Sequence, residues 1–313
     1  MDYHLKNKKI FIAGHNGMVG KAVSKRLILE NCEILKVDKK KCNFTDEKET
    51  ENWFEKNKPD GVIICAARVG GILANASFPV EFLQENLLIQ TNIIKSSHRT
   101  GVEKLLFLGS SCIYPKFSQQ PIKEESLLSG PLEESNEWYA IAKIAGIKLC
   151  QAYRKQFGSN FISVMPTNLY GPNDNYDLNG SHVIPALIKK MHIANLEKKK
   201  EVVIWGSGKP LREFMYVDDC ADGIVFLFKE YSDDNHINLG NGYEISILEL
   251  AKKIKEIVGF PGCIVLDKSK PDGVRRKLLS SKKLNDLGWK PKITLDDGLE
   301  KTYNDFVLNY RKY

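Results

Sequence analysis

No run of apolar residues in this chain approaches the ~20 needed to cross a bilayer, and residues 1–9 are polar up to a candidate strand. A secretory leader is therefore not expected, and the reading is a cytoplasmic protein without a membrane partner. Cysteine is sparse and odd in number, seven with no CxxC spacing, which argues against a disulfide framework or a zinc site. No metal is expected, and internal repeats are absent. The formal charge of +7 is mild for 313 residues, and its lysines are spread out rather than interleaved with aromatics. Nucleic acid is accordingly not expected as a partner. A phosphorylated small molecule accounts for the positive balance equally well.

What is present is alternation. Short, nearly continuous apolar runs at 9–14, 33–37, 61–66, 105–110 and 161–166 have the character of strands buried on both faces. Helical patterns at 18–30, 46–56, 79–100 and 138–157 separate them. This order predicts an α/β fold, a doubly wound parallel sheet (Rossmann) with a smaller C-terminal α/β substrate domain. The expected division is 1–172 for the cofactor domain, with a returning segment near 212–240, and 173–313 mainly for substrate. Beyond 172 the candidates are helices at 184–195, from about 218, at 247–258 and at 295–308, with a strand at 202–205.

Directly after the first strand comes Gly14-His15-Asn16-Gly17-Met18-Val19-Gly20, with a helical pattern following. A glycine triplet alone is a surface turn as often as a site. Between a strand and a helix it forms a tight turn that bares backbone N–H groups to a phosphate. The second strand should end near an adenine ribose at Asp38-Lys39-Lys40-Lys41. A carboxylate there suits the free hydroxyl of NAD and cations suit the 2′-phosphate of NADP. The residues leave both open.

Tyr139 and Lys143 stand four apart, on one face of a helix. A phenol titrates near ~10, too high for easy proton exchange at neutral pH, and a neighbouring ammonium is expected to lower it. YxxxK also arises by chance. Order decides: Ser110 falls at the end of the fourth strand, where ligands bind in such sheets, and can hydrogen-bond a substrate oxygen beside Tyr139. Cys112 lies two residues on. By position alone it is either a reactive thiol or a small apolar filler, and His182 a helix-start neighbour.

The glycine loop, strand-end serine and YxxxK pair, in this order, resemble the extended short-chain dehydrogenase/reductase family. With the segments at 66–72, 108–116, 139–146, 165–172, 181–186, 205–208 and 212–219, the resemblance narrows to its epimerase-reductases of GDP-4-keto-6-deoxy-mannose. It spans nearly the whole chain. It implies NADPH-dependent reduction at C4 by Ser110, Tyr139 and Lys143, after epimerisation at C3 and C5 with Cys112 and His182 as base and acid, giving GDP-L-fucose. The alternative is a C4-reductase, or epimerase-reductase, of a related GDP-4-keto-6-deoxy-heptose. Leu108, Gly109, Pro166, Asn168, Leu169 and His182 would join Ser110 and Lys143 at the cofactor. Lys190, Trp205, Arg212 and Asp272 would hold the GDP-sugar. The resemblance also implies a homodimer built on helices 79–100 and 138–157. Two departures stand out: Asn16 where some members carry Arg, which weakens the NADP preference, and Lys190 in place of Arg.

Overall fold

A computed structural model describes residues 3–177, 180–270 and 272–310. The N-terminal half runs β1 (Lys9–Ala13), α1 (Met18–Leu27), β2 (Glu33–Leu35), α2 (Glu47–Asn57), β3 (Gly61–Ile64), α3 (Ile72–Ser77), α4 (Pro79–Arg99), β4 (Lys104–Leu108), α5 (Glu137–Phe157) and β5 (Phe161–Pro166). Then follow β6 (Asn168–Tyr170), α6 (Val183–Leu196), β7 (Glu201–Trp205), β8 (Leu211–Tyr216), α7 (Val217–Glu230) and β9 (Ile237–Leu239). The chain closes with β10 (Glu244–Ser246), α8 (Ile247–Val258), β11 (Cys263–Asp267), β12 (Arg276–Lys277), α9 (Lys282–Asp286) and α10 (Leu295–Asn309).

The main sheet has the order β2-β1-β3-β4-β5-β9, with every neighbouring pair parallel. Its direction of winding reverses at β1, which has β2 on one side and β3 on the other. Such a switch point opens a crevice at the strands' carboxyl ends. Side-chain alternation divides the core between the two faces. Ile10 and Ile12 pack with Val23, Ile224 and Phe228. Phe11 and Ala13 pack with Phe54, Ile93 and Ile147. Each fully buried side chain of this kind contributes roughly 1.5–3 kcal/mol.

The second half returns to this sheet: α7 packs on α1 and β9 adds an edge beside β5. A smaller sheet is organised around β8, which pairs with β10 antiparallel and with β12 and β6 parallel. β7 and β11 form a separate parallel pair. A third apolar cluster, including Leu187, Leu250 and Phe306, fills the space among α6, α8 and α10.

Two differences from expectation have physical reasons. β4 stops at Leu108 rather than 110, because Ser110 opens a 3₁₀ turn at Ser111–Ile113 with its side chain accepting from the Cys112 N–H. The short elements β6, β10, β12, α3 and α9, two to six residues each, are too brief to show a period in the sequence.

Candidate active site

The β1–α1 turn is built by backbone geometry. Gly14 sits at φ +86°, and a Cβ there would meet the Ala66 nitrogen at 2.6 Å. At Gly20 a Cβ would meet the Gly14 carbonyl oxygen at 2.1 Å, which forces glycine where α1 crosses the loop. Gly17 is the N-cap of α1 and supplies no side-chain cap, so the first N–H groups of the helix keep their capacity for an anion. Met18 and Val19 pack their side chains on the core cluster, leaving their backbone as what the crevice receives. This arrangement fits a dinucleotide pyrophosphate. Toward the ribose end Asn16 Nδ2 donates to Asp38 Oδ1 at 2.6 Å, and His15 Nε2 lies 3.5 Å from the same oxygen. Lys39, Lys40 and Lys41 are exposed beside it.

The second part lies where β4 ends. Gly146 allows it: a Cβ there would come within 2.4 Å of the Phe107 ring, so only glycine lets α5 lie this close to β4. Gln90 of α4 ties the helix down by donating to the Ala142 carbonyl at 2.6 Å. Tyr139 and Lys143 are thereby set against Ser110. The Tyr139 hydroxyl is hydrogen-bonded to Ser110, yet burial, reinforced by nearby Cys112, holds the phenol well above its ordinary value. Lys143 is buried and donates to the Leu108 carbonyl at 2.7 Å, with its Nζ 5.7 Å from the Tyr139 ring centroid. Burial pushes the ammonium down to about 8. This corrects the expectation that Lys143 lowers the phenol. Its charge is directed at a carbonyl, and desolvation outweighs any pull toward phenolate.

Cys112 joins the same cluster. Its Sγ receives Asn136 Nδ2 at 3.4 Å and Lys277 Nζ at 3.6 Å. Lys277 is in register with Arg212 across the β12–β8 pair. Burial lowers the value of Arg212, with Cys112, Asp272 and Glu133 acting in the opposite direction. Neither Asn136 nor Lys277 was among the candidates from sequence. A pairing between a two-residue strand and β8, more than 60 residues away, leaves no trace in a linear pattern.

The other substrate candidates form an outer face. Trp205 is 52% exposed, with Lys190 Nζ 5.6 Å and Lys270 Nζ 5.5 Å from its ring centroid. Lys270 is an addition to the sequence-based set. Asp272 is fixed by Ser207, accepting from its N–H at 2.7 Å and its hydroxyl at 2.6 Å. His182 is exposed at the N-cap of α6 without capping it. The segment before it lies on the β3–α3 loop through Gly71 N–H donating to the Gly180 carbonyl at 3.0 Å. α3 in turn packs on the 3₁₀ turn Glu134–Asn136 ahead of Tyr139. No hydrogen bond or ion pair ties His182 to the Cys112 cluster among the described residues. Leu108, Gly109 and Pro166 line the sheet's carboxyl edge. Asn168 donates to the Glu213 carbonyl at 2.8 Å, and Leu169 packs on the core. Elsewhere, a wider crevice lined by Arg26, Asp222 and Trp289 has these groups bonded to one another. It reads as scaffold.

A switch-point phosphate loop with a Ser–Tyr–Lys set behind it defines a dinucleotide-dependent enzyme of the short-chain dehydrogenase/reductase type. The chain belongs to the NAD dependent epimerase/dehydratase family, whose model matches residues 10–240. It is 58% identical over 307 residues to a GDP-L-fucose synthase of Sinorhizobium fredii, covering 98% of each chain. Among solved structures it resembles a GDP-6-OMe-4-keto-L-xylo-heptose reductase from Campylobacter jejuni, with TM-score 0.94 and 34% identity over 99% of this chain and 100% of that one. It also resembles a GDP-L-fucose synthetase from Naegleria fowleri bound to NADP, with TM-score 0.90 and 32% identity over 98% and 96% of the two chains.

Proposed function

We propose that this chain converts GDP-4-keto-6-deoxy-D-mannose to GDP-L-fucose with NADPH, epimerising C3 and C5 and then reducing C4. The observation that carries the reading is the convergence of Ser110, Tyr139 and the Cys112 thiol at one strand end. Reduction alone has no use for the thiol. The high identity to a fucose synthase supports the choice of sugar.

Protons on C3 and C5 are acidified by the C4 ketone. Cys112 takes one, and the electron pair moves to the ketone oxygen, where Ser110 and Tyr139 hydroxyls stabilise it. His182 returns a proton on the opposite side. NADPH, when bound, supplies the hydride that C4 receives. Tyr139, whose burial keeps the phenol in its protonated form at neutral pH, then gives its proton to O4 as negative charge develops there. Lys143 anchors the cofactor ribose. Arg212 takes the diphosphate, a task for which its planar fork is suited, and Trp205 with Lys190 and Asp272 holds the nucleotide.

NADP is favoured over NAD because Asp38 is engaged by Asn16 while Lys39–Lys41 remain exposed for a 2′-phosphate. Residues 1–172 with 212–240 would carry the cofactor and the rest of 173–313 most of the substrate. A homodimer through α4 and α5 is supported by exposed Val80, Leu88, Trp138 and Ile141 on those helices. Seven free cysteines suit a cytoplasmic setting.

A second reading, reduction of a GDP-4-keto-heptose without epimerisation, draws on the fit to the Campylobacter jejuni reductase. NMR of the product formed from GDP-4-keto-6-deoxy-D-mannose and NADPH in deuterated water separates the two. GDP-L-fucose carrying deuterium at C3 and C5 is expected. A reduced sugar without deuterium there overturns the epimerase assignment.

A further inference from the structure

Lys277 has no part in the chemistry above, yet its ammonium donates toward the Cys112 sulfur. The distance is 3.6 Å, in a partly buried setting. β12 is held rigidly: the Leu279 N–H, two residues on, donates at 2.9 Å to Glu213, a wholly buried carboxylate that also accepts from the N–H groups of Asn241 at 2.6 Å and Gly242 at 2.8 Å. Paired residues of neighbouring strands share a face, so the register Lys277↔Arg212 sets two cations side by side. Like charges directly opposite are destabilising. An anion between them removes that penalty, and the Cys112 sulfur is positioned to be one.

We infer that Lys277 is a positioning residue that donates to the Cys112 sulfur and favours the charged sulfur that takes the proton beside the ketone. This rests on the reading of Cys112 as the epimerisation base. In the step, the C–H bond breaks, the proton goes to sulfur and the electron pair goes to the ketone oxygen. Lys277 keeps its own proton throughout and stabilises the sulfur before transfer. Other charged or titratable groups around the thiol are Arg212 from β8, Tyr139 from α5, and Lys116 and Glu133, which are paired with each other at 3.2 Å. Arg276 also lines the pocket, but it is engaged by Glu244 at 2.7 Å. Lys277 is thus the cation in hydrogen-bonding contact with the sulfur, alongside the neutral donor Asn136 at 3.4 Å.

The test is alkylation of Cys112 by iodoacetamide, followed by peptide-resolved mass spectrometry across a pH series in the full-length protein. Lys277→Met should slow labelling at neutral pH about tenfold and move the profile about one unit to higher pH. Lys277→Arg, which keeps the cation, should restore most of the rate. Substrate deuterium exchange should fall in kcat in Lys277→Met. Labelling in Lys277→Met that superimposes on wild type overturns the inference. An exchange defect confined to KM does so too, making Lys277 a diphosphate ligand. If both variants lose NADPH binding as well, Lys277 belongs to the fold and the inference fails. The base reading fails separately, if Cys112→Ala still exchanges deuterium at C3 and C5 while the labelling result stands.

Discussion

The β1–α1 turn and the pocket at the end of β4 lie on the same edge of one sheet and are built in opposite ways. The turn is seven consecutive residues whose function is carried by backbone N–H groups, and its constraint is negative: at Gly14 and Gly20 there is no room for a Cβ. The pocket is assembled from side chains on the β4 end, α5, β8 and β12, with Cys112 and Lys277 separated by 165 positions. A backbone site is preserved by what is missing from a short stretch. A side-chain site depends on several distant elements holding their register. Damage to the first should appear as lost stability and cofactor affinity, damage to the second as lost chemistry.

The largest effect expected is chemical. Tyr139→Phe keeps the ring against Phe82 and removes the proton donor, so kcat for C4 reduction should fall roughly 10³-fold with NADPH affinity retained in fluorescence titration. Loss of cofactor binding instead would break the separation between the two regions. Next is Gly20→Ala, whose Cβ would stand 2.1 Å from the Gly14 oxygen. Denaturant unfolding should show a loss of about 3 kcal/mol, together with weaker NADPH binding. Wild-type stability would mean the loop is not the rigid backbone frame described.

The smallest concerns the loop after β6, outside both regions. Asp174, in the loop after β6, is buried with Oδ2 lacking a partner among the described residues, and burial pushes its carboxyl from 3.8 up to about 7. Between those values the folded chain holds a proton that the unfolded chain has released. Stability should therefore fall as pH rises through that window. Asp174→Asn removes this slope and should stabilise the fold by roughly 1–2 kcal/mol at pH 8, with little change below pH 4. Thermal melts at the two pH values measure it, and equal shifts at both would contradict the assignment.

The same contrast governs what could be read from the sequence. Strands β3, β4 and β5 are apolar at nearly every position because both faces are covered, so their presence and order were visible, as was the glycine loop. Tyr139 and Lys143 were visible as one helical turn. Their electrostatics were not: whether the ammonium meets the phenol or the Leu108 carbonyl depends on how closely α5 approaches β4, which Gly146 decides through a contact with Phe107. Trp205 could equally have been core packing, and its exposure between two lysines is a tertiary fact. Lys277 was illegible for the strongest reason. Its strand is two residues long, and its significance comes only from register with Arg212.

The central claim is that one pocket performs both proton shuffling and reduction, with the thiol serving only the former. Cys112→Ala, given GDP-4-keto-6-deoxy-D-mannose and NADPH in deuterated water, tests it most directly by NMR of the product. The account predicts continued hydride transfer to C4 and a reduced sugar without deuterium at C3 or C5. GDP-L-fucose deuterated at both carbons, formed at the wild-type rate, would contradict it.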